Sequence, residues 1–142
     1  MTATVSMTDY FALADVFAER LREKVPGLDC VTAEEAASPR YVTPVGVSAV
    51  VVFAGESVTG NVGRSAYSSQ QTWEVHVSCR GATLRDSEAD GAVVGQAIQA
   101  LHGFSPSKKG AFLTYRGAVG AAADGGREYR LTFSIQASAD WY

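Results

Sequence analysis

Two stretches in the second half of the chain alternate strictly between apolar and polar side chains. From Thr72 to Arg80, Trp73, Val75, Val77 and Cys79 share one side while Thr72, Glu74, His76 and Ser78 share the other, because successive residues of a strand point to opposite faces. From Glu128 to Ala137 the pattern repeats, with Tyr129, Leu131, Phe133, Ile135 and Ala137 set against Glu128, Arg130, Thr132, Ser134 and Gln136. Both therefore predict strands of one antiparallel sheet with a helix-covered face and a polar face. On the polar face, Glu74 and Arg130 are placed to pair if their strands are neighbours. Trp73 is the expected anchor of the core.

Helical spacing appears twice. Tyr10, Leu13, Val16, Phe17 and Leu21 recur every three or four residues, which predicts a helix capped by Thr8 or Asp9, running to about Lys24 and stopped by Pro26-Gly27. Val94, Ala97, Ile98 and Leu101 mark a second helix, with Ser87 as its cap and Glu88 and Asp90 in the first turn, where the helix dipole favours negative charge. Gly103 supplies the left-handed stop, His102 sits by the negative end, and Phe104 folds back.

Leu28 to Thr32 reads as a short strand, and the connection through Arg40, Tyr41 and Pro44 carries no clear periodicity. Val47 to Ala54 is apolar at consecutive positions from Ala49 on, so it predicts a central strand with hydrophobic groups on both faces. The surplus apolar side needs a cover: a loop, a terminal segment or another subunit. Gly55 to Ser69 reads as a connection much longer than a hairpin turn of about 2 to 5 residues. A strand from about Ala111 to Arg116 and a turn at Asp124-Gly125-Gly126 lead into the last strand, while Ala118 to Ala123 is too small and uniform to assign. These elements define an α+β fold: a mainly antiparallel sheet of about four to five strands, with two helices packed on one face. All 142 residues fit one domain, since a chain of that length buries enough surface for a core without staples.

Composition narrows the function classes. The net charge is −3 and the isoelectric point about 5.3, which argues against a protein whose main work is coating nucleic acid. No run approaches the ~20 apolar residues of a membrane helix, and the first residues lack a basic flank or long apolar stretch. The chain reads as soluble and cytosolic. Cys30 and Cys79 are too few for a secreted disulfide framework and read as reduced core thiols.

The search for chemistry is largely negative. His76 and Cys79 have an H-x-x-C spacing, but residues three apart on a strand face opposite ways and cannot share an ion. Gly103 to Lys109 contains a glycine followed by lysines, yet it lacks the second glycine of a phosphate loop and ends a helix where that loop begins one. Gly60-Asn-Val-Gly63-Arg64 lacks the strand-then-helix setting of a dinucleotide fingerprint. There is no Gly-x-Ser-x-Gly elbow, and Asp9, Asp15 and Glu19 read as the solvated face of a helix. No catalytic, cofactor or metal residue is assigned, and none of these groups points to an enzyme.

Taken together, the amphipathic helix Tyr10 to Lys24, the valine-rich strand Val47 to Ala54, the segment Gln71 to Arg80, the helix running into Ala100-Leu-His-Gly-Phe-Ser-Pro106 and the closing Tyr129 to Ile135 resemble the tail-terminator or tail-completion proteins of tailed phages, in particular the small Mu-type group. The resemblance spans most of the chain and rests on order and spacing, because each segment alone is ordinary. It implies a non-enzymatic virion protein of the head-proximal tail end, assembled in the host cytoplasm. Its copies would form a ring, typically hexameric, that caps the tail tube, ends its polymerisation and offers the surface that joins the head. The implied partners are other copies of the chain, the tail tube protein, and sheath and neck or connector proteins, with no membrane and no sequence-specific nucleic acid. Candidate contacts for subunit or tube are Arg64 and Tyr67, Lys108 and Lys109 after the second helix, and the aromatic pair Trp141 and Tyr142. A neck or head-to-tail adaptor ring would use the same kind of subunit. A small-molecule-binding or enzymatic domain would instead need a pocket that brings His76, Cys79 or Glu74 beside a carboxylate or basic group.

Overall fold

The computed structural model describes residues 9–41, 46–61, 66–80, 86–106, 111–123 and 126–140. Helix α1 (Tyr10–Lys24) begins where the Asp9 carboxylate accepts a hydrogen bond from the Ala12 N–H at 3.0 Å, satisfying a donor the helix itself leaves open. Leu13, Phe17 and Leu21 of the expected stripe are buried, Tyr10 and Val16 half-buried, and Asp15, Glu19 and Glu23 exposed. Strand β1 (Asp29–Thr32) follows directly.

The unassigned connection contains a one-turn helix, α2 (Ala33–Ala36). Its start is a reciprocal cap: the Thr32 hydroxyl accepts from the Glu35 N–H, and the Glu35 carboxylate accepts from the Thr32 N–H, both at 3.3 Å. The Thr-x-x-Glu spacing that makes such a cap possible is present in the sequence.

The sheet is five-stranded, in the order β1-β2-β3-β5-β4, with β2 at Gly46–Asn61, β3 at Ala66–Arg80, β4 at Thr114–Ala123 and β5 at Gly126–Asp140. Every neighbouring pair is antiparallel except β1 with β2, where Cys30 lies beside Ala49 in a parallel ladder. The chain between the two strands, α2 included, makes the crossover such a pair requires. The valine-rich strand is interior, as expected. Ala49 and Val51 are buried on the core face, while Val50, beside Val31, and Val52 are half-buried on the other face.

The sequence reading fails at the long connection. Gly55–Asn61 continues β2 and Ala66–Ser69 begins β3, so the expected loop over 55–69 is instead the paired end of a hairpin, from Gly55↔Thr72 to Asn61↔Tyr67. Hydrogen-bonded pairing holds these small, polar residues in a strand without the apolar alternation that would announce one. Two register shifts, between Phe53 and Gly55 and between Val58 and Gly60, place Ala54 and Thr59 as extra residues in β2. Gly55 has a φ of 154° beside the first bulge.

The strand expected from about Ala111 starts instead at Thr114 and continues through Ala123, paired along β5. Ala111 to Leu113 is drawn out of the sheet: the Leu113 N–H donates to the Phe104 carbonyl at 2.9 Å and the Gly103 N–H to the Leu113 carbonyl at 2.7 Å. Helix α3 (Asp86–Leu101) already contains Ser87, which is therefore not its cap. It stops as expected, at Gly103 with φ 82°.

Trp73 is 1% exposed and stands in a line of rings. Its ring lies 5.0 Å from Phe17 of α1 and 5.1 Å from Phe53, both edge-on, and Phe53 stacks at 4.5 Å on Tyr10. Ala97 and Leu101 of α3 are buried in the same core, with Leu131, Phe133 and Ile135 of β5. Arg20 joins the two long helices: its Nε donates to the Ala100 carbonyl at 3.0 Å, and its guanidinium lies 4.8 Å over the Phe104 ring.

Candidate functional site

Past the Ala54 bulge, β2 presents Glu56 on the side where Gln71 and Ser69 of β3 point, because Glu56 pairs with Gln71 across the ladder. The bulge makes this possible: without the extra residue, the alternation would turn Glu56 to the other face. The Glu56 carboxylate accepts from the Tyr10 hydroxyl at 2.5 Å, from the Ser69 hydroxyl at 2.5 Å and from Gln71 Nε2 at 3.3 Å. Gln71 Oε1 in turn accepts from Trp73 Nε1 at 3.0 Å. One chain of hydrogen bonds thus runs from the core tryptophan to the first turn of α1.

The electrostatics follow from these contacts. Burial works against the charge on Glu56, but the hydrogen bonds from Ser69, Tyr10 and Gln71 outweigh it and hold the carboxyl below its ordinary range. Tyr10 is pushed up to about 12, first by its hydrogen bond to Glu56 and then by burial. These groups fix the base of the β2–β3 hairpin to α1. They satisfy one another and make a structural joint.

A second polar group lies on the opposite sheet face. His76 Nε2 and Glu74 Oε1 are 2.8 Å apart, and Arg130 Nε is 3.7 Å from the same oxygen. The expected Glu74–Arg130 pair is therefore present, on a diagonal, since Arg130 sits directly opposite His76. Its side chains are partly exposed, so it contributes at most about 1 kcal/mol. Cys79 lies across the sheet from His76 and is 1% exposed in the core. Cys30 is also buried, and burial pushes its thiol up to about 12, which makes it inert. Among the described residues no three His, Cys, Asp or Glu side chains gather as a metal site.

Of the candidate contact residues, Tyr67 is described: it is half-buried on β3, between Asn61 of β2 and Ala139 of β5. Arg64, Lys108, Lys109, Trp141 and Tyr142 lie outside the described residues. Sequence reasoning missed Glu56 altogether. Its visible signal was a single carboxylate directly after an apolar strand, but its three donors come from distant or separately patterned segments.

The exposed surface includes large apolar side chains at Phe11, Val58, Phe112 and Val119, between 54% and 70% exposed. Val58 sits on the hairpin beyond Glu56, and Val119 on the outer strand β4 beside Arg130. No helix of the described residues is long and apolar enough to cross a membrane.

Comparison with known proteins places this architecture. No curated protein matches the chain. Among solved structures, a chain from the virion of a native gene transfer agent particle shares the fold with a TM-score of 0.58 at 16% identity, over 94% of this chain and 100% of that one. The sequence profile of the phage tail terminator protein matches residues 7–139. That match runs from before α1 into the last residues of β5, and the chain belongs to the phage tail terminator family.

Proposed function

We propose that this protein is the subunit of a ring that caps the phage tail tube, ends its polymerisation and provides the surface to which the head or neck attaches. The observation that carries this reading is the family match over residues 7–139. The described residues support it by what they are built for: the Glu56 group braces the β2–β3 hairpin against α1, and the Glu74, His76 and Arg130 group ties β3 to β5. The protein is a structural component of the virion, at the head-proximal end of the tail, and not an enzyme. Its partners are other copies of itself and the tube protein, with sheath and neck proteins on the outer side.

Electron microscopy of particles made without this protein tests the reading. Tails of uncontrolled length that fail to join heads are expected. Tails of normal length joined to heads would overturn it, and tails of normal length that remain headless would move the protein to the neck.

A further inference from the structure

From Gly55 to Asn61, β2 pairs with β3 alone, because the β1 ladder ends at Val51. From Ile135 to Asp140, β5 likewise pairs with β3 alone, because the β4 ladder ends at Ser134. The end of the sheet is therefore a three-stranded arm with two edges that have no strand partner among the described residues. An open edge is a row of backbone donors and acceptors that templates another strand, and natural proteins commonly blunt it with Lys or Pro. Neither edge contains Lys, Arg or Pro, and the one charge on the β2 side, Glu56, is engaged by Tyr10, Ser69 and Gln71. Ser57, Val58, Thr59, Asn61 and Gln136 are exposed.

We infer that the arm joins neighbouring copies of this chain edge to edge, the Gly55–Asn61 edge of one copy adding as a parallel strand to the Ile135–Asp140 edge of the next. The inference rests on the ring reading above and deepens it. Four features select a second copy as the occupant. The two edges are level with each other, since Ser57, Gln70 and Gln136 form one row across the arm. Their lengths match, at about 20 Å of extended chain. They run in the same direction because both strands are antiparallel to β3, so a rotation that brings one copy's β2 beside another's β5 forms a parallel pair. Finally, the two edges differ from each other, and a contact between unlike surfaces repeats around a ring, whereas β2 against β2 closes as a dimer. The bulges at Ala54 and Thr59 add the twist and bend that a curved sheet needs.

Cysteine cross-linking of the full chain tests this. Ser57, Thr59 or Asn61 is replaced by Cys together with Gln136→Cys, and the variants are oxidised in solution and on tail ends. Within one chain Ser57 and Gln136 are separated by two strand spacings, roughly 9 to 10 Å, too far for a disulfide, and the native Cys30 and Cys79 are buried. At least one pair should lose its monomer band to a disulfide ladder ending in one closed species, while each single variant stays monomeric. Amide exchange at those residues of 55–61 and 135–140 whose N–H points away from β3 should be fast in the monomer and slow in the ring. Rings seen by mass or imaging without any linked species would overturn the edge contact and leave the ring reading standing. A dimer from Ser57→Cys alone, or slow exchange in the monomer at the amides that point away from β3, would also overturn it, the first by β2–β2 pairing and the second by cover from the chain's own residues. Absence of any ring, even on tubes, would remove the ring reading and this contact together.

Discussion

The Tyr10 hydroxyl donates to the Glu56 carboxylate at 2.5 Å across a separation of 46 residues, joining the first turn of α1 to β2 just past its bulge. Tyr10→Phe keeps the ring stacked on Phe53 and removes only the donor. It should cost about 0.5 to 1.5 kcal/mol in urea unfolding. Because both groups belong to one network, a double-mutant cycle with Glu56→Ala, which removes the acceptor, should give a coupling of at least about 0.5 kcal/mol. Additive losses would show that the contact does not hold the helix to the hairpin.

The same pair predicts a pH profile. A carboxyl held low in the folded chain, as Glu56 is, stabilises the fold above its unfolded value of about 4.3 and loses that contribution as pH falls through the folded value. Glu56→Gln should therefore flatten the acid limb of stability against pH. Tyr10 gives the opposite sign: raised from 10.0 to about 12, it contributes fully below its unfolded value and loses that contribution as pH rises across this interval. Tyr10→Phe should flatten the alkaline limb. Denaturant midpoints measured across pH for both variants check the two slopes.

Trp73 is the residue whose loss should be hardest to absorb. Its ring meets both Phe17 and Phe53, and its Nε1 donates to Gln71. Trp73→Ala should cost about 3 to 5 kcal/mol. Trp73→Phe, which keeps an aromatic ring and removes the donor, should cost about 1 to 3 kcal/mol. An unchanged melting temperature in Trp73→Ala would contradict its place in the core.

At Gly103 the backbone alone is at stake. A Cβ there meets nothing within 4 Å, yet φ is 82°, a conformation that costs a residue with a side chain about 1 to 2 kcal/mol. Gly103→Ala should lower stability by about that amount and leave the fold intact. A neutral result would mean that the turn after α3 relaxes without cost.

The apolar alternation of Trp73 to Cys79 and of Leu131 to Ala137 was legible because burial on one face imposes it, and these residues are buried in the structure. The Leu13, Phe17 and Leu21 stripe was legible for the same reason at helical spacing. Polar pairing leaves no such trace: Glu56 to Asn61 and Ala118 to Ala123 are strands because neighbouring backbones hold them. The Glu56 joint stayed hidden because it depends on the bulge at Ala54, which reverses the alternation of β2 from Gly55 to Val58, until the second bulge at Thr59 restores it. Helix α2 was readable in part, through Thr32 and Glu35, but four residues carry no periodicity.

The strand order has a consequence for synthesis. β5 lies between β3 and β4, although the ribosome makes both of those first. A nascent chain that has not yet delivered residues 126–140 holds a β2–β3 hairpin with its inner edge bare and a β4 with nothing to pair to. The sheet therefore closes only once residues 126–140 have been made and have slipped between two strands that were synthesised before them.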